Sequence, residues 1–112
     1  MTHTLKGTDI VIESLPKVSL HDHLDGGLRP QTIIDLAPEH ELQHPATDAG
    51  ELAESFARQS DSGSLVEYLK TFDITTGVMQ TAGALQRIAR EFVEDLNADG
   101  VICGEIRWAP EQ

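Results

Sequence analysis

The sequence predicts an α/β fold: two parallel strands joined through several helices. Pro16-Lys17-Val18-Ser19-Leu20-His21-Asp22-His23 alternates apolar and polar side chains, the period of two of an extended strand. The most regular helical pattern, which follows Thr81, feeds directly into a second strand-like run, Val101 to Trp108. That order is the closing half of a βαβ crossover, and such crossovers build parallel sheets covered by helices.

Ile10 to Ile12 form a short apolar patch, either a helical turn or a loose lead-in. Along the first strand Val18 and Leu20 are expected on one face, buried beneath helices, with Ser19, His21 and His23 on the other. Asp25-Gly26-Gly27 ends the strand as a turn. Pro30 suits the first position of a helix over Gln31 to Ala37, because its missing N–H is not needed there, and Pro38 is expected to stop that helix.

His40 to Ala46 read as loop, followed by a polar helix from about Asp48 to Arg58 and a Ser/Gly-rich joint, Ser60 to Gly63. Ser64 with Glu67 three residues on matches a capping box. A helix therefore begins at Leu65, carries Leu65, Tyr68, Leu69 and Phe72 on one side, and ends near Gly77. After Thr81, Leu85, Ile88, Ala89, Phe92, Val93 and Leu96 recur at three and four, a continuous apolar stripe that terminates near Gly100.

In the second strand Ile102, Ile106 and Trp108 face one way, with Gly104 among them, and Cys103, Glu105 and Arg107 face the other; Pro110 closes it. Glu and Arg at alternate positions fit the interior of a barrel, where opposite charges pair. An edge strand with one wet face is the simpler alternative.

The 19 Asp and Glu against 8 Lys and Arg, a net charge of −11, disfavour binding to nucleic-acid phosphates or anionic lipid. Cys103, the only cysteine, excludes an internal disulfide and suits a reducing compartment; its apolar setting predicts a buried, inert thiol. No basic-then-apolar leader opens the sequence and no stretch has the length and apolarity of a membrane span, so a cytoplasmic location is expected.

His21-Asp22-His23 carries the chemistry. On a strand, side chains two apart point the same way with Cα atoms roughly 6.5 Å apart, so two imidazoles can converge on one ion at about 2.0–2.1 Å while Asp22 points away. Neutral imidazoles suit zinc. Such pairs also arise by chance, and the setting is what distinguishes this one: it ends a strand and precedes Leu24-Asp25-Gly26-Gly27, where a carboxylate and flexible backbone can approach a ligand. His3, His40 and His44 have no comparable setting and are expected in solvated tail and loop.

Leu15-Pro16-Lys17-Val18-Ser19-Leu20-His21-Asp22-His23-Leu24-Asp25-Gly26 resembles the opening signature of the adenosine deaminase family, within the amidohydrolase group of metal-dependent barrels. Arg29 to Ile33 resembles the family's first-helix opening, Leu65 to Asp73 the segment that includes a helical gate, and Gly104 to Pro110 the second-strand motif. The resemblance implies the N-terminal part of a (β/α)8 TIM barrel, with residues 1–112 as one portion of a single deaminase domain. It implies that His21 and His23 ligate Zn2+, that Asp25 hydrogen-bonds the ribose of a purine nucleoside, and that His23 also lies near the substrate. Leu65, Leu69 and Phe72 match the gate region, although ordinary helix packing accounts for them equally well. Glu105 and Arg107 match motif positions read as interior scaffolding.

The family reaction is hydrolysis of adenosine, or deoxyadenosine, to inosine and ammonia, a step of purine salvage. A complete barrel takes around 250 residues. The chain is therefore expected to hold two strands and no catalytic acid or base, to be inactive alone, and to self-associate or partly unfold. The alternatives are another purine or aminopurine deaminase of the same barrel group, which Asp25 in place of Glu disfavours, and a non-catalytic truncated paralogue acting as an interaction module.

Overall fold

The computed structural model describes residues 2–40 and 46–109. Its elements run β1 (Lys17–His23), α1 (Pro30–Leu36), α2 (Ala49–Ser60), α3 (Leu65–Gly77), α4 (Ala82–Ala98) and β2 (Val101–Arg107). β1 and β2 pair in parallel as a two-stranded sheet, so the α/β arrangement expected from the sequence is the one adopted. Gly100, at φ +78°, makes the turn from α4 into β2. A Cβ there would sit 2.8 Å from the Leu15 carbonyl oxygen, while the Gly100 carbonyl accepts from the Lys17 amide at 2.9 Å. The turn thus delivers β2 beside the start of β1, and no side chain fits it.

Local side-chain chemistry sets the helix starts. Pro30 occupies the first turn of α1. Asp48 caps α2 by accepting from the Glu51 amide at 2.9 Å, and the Glu51 carboxylate reaches back to the Thr47 amide at 2.9 Å, which holds its pKa below the ordinary carboxylate range. Ser64 caps α3 through the Glu67 amide, but Glu67 turns its own carboxylate to Lys70 at 2.6 Å, so only half of the expected capping box forms. Thr81 caps α4 through the Ala84 amide. The α-helix ends at Leu36, short of Pro38 as expected, and the chain tightens into a 3-10 turn, Ala37–His40, which needs no N–H from Pro38.

The core gathers Leu24, Ile33, Leu36, Leu52, Val78, Met79, Ile88 and Phe92, so every helix contributes to it or borders it. From the α4 stripe Ile88 and Phe92 are buried, whereas Val93 is 55% exposed beside a groove of about 310 Å³ against β2. A polar clasp joins α1 to α4 around Glu91, which is 9% exposed. Its carboxylate accepts from the Thr32 hydroxyl and from Arg87 Nε at 2.8 Å; Arg87 Nη2 also donates to Asp35 at 2.8 Å, and Arg29 Nη2 to Asp95 at 2.7 Å.

Several expectations are corrected. Laterally paired residues of parallel strands point to one face. Ser19 pairs with Gly104 and Asp22 with Ile106, and Gly104 meets Leu96 of α4, so the helix side of β1 carries Ser19 and Asp22. Val18 and Leu20, expected beneath helices, are instead 57% and 64% exposed. Cys103 pairs with Val18 on that open side and is exposed, not buried. Glu105 and Arg107 are also exposed, and among the described residues neither joins an ion pair. The segment ahead of β1 is more ordered than a lead-in. Thr4 bridges Val11 in antiparallel fashion, Ile12–Ser14 forms a 3-10 turn, and His3, exposed as expected, binds Glu13 at 2.7 Å. Of the expected loop from His40 to Ala46, residues 41–45, with His44, lie outside the described residues.

Candidate metal and substrate site

The site begins at the carboxyl end of β1. Between Ser19 and Asp22 the strand takes three steps while β2 takes two, from Gly104 to Ile106, so β1 carries a bulge. His21 lies within it at φ +59°, a left-handed conformation that non-glycine residues rarely adopt. The regular alternation predicted for this strand is therefore broken. Ser19 shares a face with Asp22, to which it donates a hydrogen bond at 2.7 Å, and not with the two histidines. His23 pairs with Arg107 on the opposite, open face.

The imidazoles of His21 and His23 come together there. Their ring centroids are 5.2 Å apart with planes inclined at 49°. Two imidazoles bound through nitrogen at about 2.0–2.1 Å to one tetrahedral ion have centroids on the order of 5 Å apart, so this donor pair fits a zinc ion. Both residues are exposed, which leaves the face open to further ligands. Among the described residues no group of three or more His, Cys, Asp or Glu side chains converges. Two donors do not complete a metal site, so any ion held here would draw further ligands from outside the described residues.

The turn after β1 supplies the neighbouring carboxylate. Leu24 is buried in the core and fixes the turn Leu24–Gly26, which places Asp25 under the surface at 5% exposure. Asp25 Oδ1 lies 3.4 Å from His23 Nδ1, an electrostatic contact without hydrogen-bond geometry, and this oxygen has no hydrogen-bond partner among the described residues. A buried carboxylate oxygen left unpaired is costly, and such atoms mark places built to receive a donor.

Phe72 reaches the same turn. A Cβ on Gly26 would lie 3.8 Å from the Phe72 ring and 3.7 Å from His23 Cβ. Tyr68 meets the Phe72 ring edge-on at 5.6 Å. Leu65 and Leu69 continue along the exposed side of α3, at 69% and 50% exposure, while the side packed inward is Thr71, Thr75 and Thr76. Helix packing among the described residues therefore does not explain the apolar stripe of α3. The sequence reading named His21, His23 and Asp25, which the fold brings to one corner, but missed the bulge and the Ser19–Asp22 pair. Their one signal was a serine and an aspartate three residues apart, too common a pattern to select.

The sequence from residue 16 to residue 112 matches the family model described as adenosine deaminase. The chain belongs to the adenosine deaminase family. Among curated relatives, the adenosine deaminase of Mycobacteroides abscessus is 57% identical over 103 residues, covering 91% of this chain and 28% of that protein. Adenosine deaminase 1 of Streptomyces coelicolor is 57% identical over 102 residues, covering 90% of this chain and 26% of that protein. Solved structures of family relatives superpose as well. Arabidopsis ADAL complexed with GMP matches with a TM-score of 0.67 at 32% identity, over 90% of this chain and 29% of that one. The N6-methyl-AMP deaminase of Arabidopsis thaliana matches with a TM-score of 0.63 at 33% identity, over 90% and 28%. The chain thus spans little more than a quarter of the adenosine deaminases it matches, and the two strands and four α-helices of its described residues form an α/β portion of that barrel fold.

Proposed function

We propose that this chain supplies the first part of the active site of a hydrolytic adenosine deaminase, which converts adenosine or deoxyadenosine and water to inosine or deoxyinosine and ammonia. One observation carries the reading: two imidazoles with centroids 5.2 Å apart stand beside a buried carboxylate oxygen that has no hydrogen-bond partner among the described residues. His21 and His23 would hold a zinc ion, which, when bound, brings the pKa of water down toward about 7. Asp25 Oδ1 would accept a hydrogen bond from a ribose hydroxyl, satisfying the orphaned acceptor and orienting the nucleoside. His23, whose Nδ1 lies 3.4 Å from Asp25 Oδ1, would also stand near the bound substrate. Phe72, with Leu65 and Leu69 behind it, offers an apolar wall that would exclude water from the purine.

The net charge of −11 supports a neutral nucleoside over nucleic acid as the partner. Among the described residues no helix is long and apolar enough to cross a membrane. We take the setting to be cytoplasmic nucleotide metabolism, within purine salvage.

A nucleotide is the second reading, because a superposable relative is an N6-methyl-AMP deaminase and others are solved with GMP or IMP. The higher identity to adenosine deaminases, 57% against about 30%, favours the nucleoside. The test is turnover of adenosine, deoxyadenosine, adenine and N6-methyl-AMP by the 112-residue chain and by its reading frame extended to the length of the relatives. We expect adenosine turnover from the extended protein only, abolished by His21→Ala or His23→Ala. Turnover of N6-methyl-AMP alone would transfer the assignment to the nucleotide. Substantial turnover by the short chain would refute its dependence on later ligands.

A further inference from the structure

We propose that the Ser19–Asp22 hydrogen bond is a positioning device that holds the β1 bulge closed and thereby sets the His21–His23 pair on the sheet face opposite α4. The register gives the reason. A regular strand would keep Ser19, His21 and His23 on one face, since side chains alternate with a period of two. Ser19 faces the α4 side, through its pairing with Gly104, which meets Leu96. An unbulged β1 would therefore turn both imidazoles toward the helix layer. The extra residue reverses the alternation, so that His23 lies beside Arg107 on the open face, with the His21 ring near it.

The bulge is not self-sustaining. It needs His21 at φ +59°, which an L-residue adopts only when its surroundings enforce it. Ser19 is the last paired residue before the bulge and Asp22 the first after it. Their 2.7 Å side-chain hydrogen bond on the half-buried helix side spans the extra residue and shortens that edge of the strand. Among the described residues neither side chain hydrogen-bonds an imidazole; both act through the backbone of His21. The proposal deepens the reading of His21 and His23 as a chelating pair and rests on it.

The test is binding of copper(II)–iminodiacetate to the purified 112-residue chain at micromolar concentration, with coordinated imidazoles counted from the electron spin echo modulation. This probe leaves positions for two imidazoles, and copper takes such ligands more strongly than zinc does. Wild type should bind through two imidazoles and His21→Ala through one. Ser19→Ala and Asp22→Ala should drop to one imidazole and bind about tenfold more weakly, the loss usual when a ligand's support is removed. Ser19→Thr, which keeps the hydroxyl, and Asp22→Asn, which keeps an acceptor oxygen, should retain two. Circular dichroism checks that each variant folds, and the two conservative variants keep the test decisive if an alanine variant does not. Two imidazoles at wild-type affinity in Ser19→Ala and Asp22→Ala would overturn the proposal, as would loss of one in Asp22→Asn. A single imidazole in wild type would instead remove the chelating pair itself, a separate failure.

Discussion

Gly27 lies against the ring of Phe92 so closely that a Cβ at Gly27 would stand 2.2 Å from Phe92 Cε2. This contact ties the turn after β1 to α4, since Phe92 is buried in the core. Gly27→Ala is expected to displace the ring and destabilise the chain by about 1–3 kcal/mol, the usual cost of overpacking. A urea midpoint followed by helical circular dichroism measures it. Adding Phe92→Leu should recover part of the loss if the clash is the cause.

Glu91 makes stability depend on pH. Burial raises its pKa, but hydrogen bonds from Thr32 and Arg87 and the charges of Arg87 and Arg29 outweigh that, leaving it below the ordinary 4.5. A depressed carboxylate pKa contributes stability that is fully present above the unfolded value and is lost as pH falls through the folded one. Glu91→Gln is expected to cost about 1–3 kcal/mol near neutrality, because one donor of the clasp loses its acceptor. Urea midpoints of wild type and variant should converge as pH falls through the folded-state value; a gap that stays undiminished however far the pH is lowered would contradict the assignment.

His21 holds its left-handed backbone at the expense of stability. Glycine adopts φ +59° freely, and the exposed imidazole gives up little packing when removed. His21→Gly is therefore expected to raise the stability of the metal-free chain by up to about 1 kcal/mol while abolishing two-imidazole binding. A thermal melt in the presence of a chelator reads the first effect, and an unchanged or lowered melting temperature would argue against backbone strain there.

The apolar side of α3 should make the isolated chain associate. Leu65, Val66 and Leu69 are each at least half exposed, as are Val18, Leu20 and Ile102 on the sheet. Contiguous exposed apolar surface of this kind drives self-association. Sedimentation velocity should show a concentration-dependent average mass, reduced in Leu65→Lys/Leu69→Lys with little change in helix content. A wild-type monomer across the concentration range would remove this expectation.

Much of the architecture was legible before any coordinates. The cap at Ser64, the proline at the start of α1, the stripe of α4 and the glycine ahead of β2 each reflect an interaction within a few residues, and each lies where local chemistry puts it. His21, His23 and Asp25 were legible for the same reason, because they fall within five consecutive positions. Burial was much less legible. Cys103, Val18 and Leu20 look like core residues by composition, yet what covers a strand face lies far away in the chain, beyond the reach of a local pattern. The clasp of Arg29, Arg87 and Glu91 escaped notice because its members are scattered through a sequence rich in charge.

The order of amino acids by itself determined which segments become helix or strand, and that two imidazoles and a carboxylate follow one another at the end of the first strand, because backbone preference and spacing along the chain are local properties. Only the tertiary structure decided which face of the sheet receives those imidazoles. The pairing of β1 with β2 sets the register, the register requires one extra residue in β1, and that residue reverses the alternation that sequence spacing alone predicts.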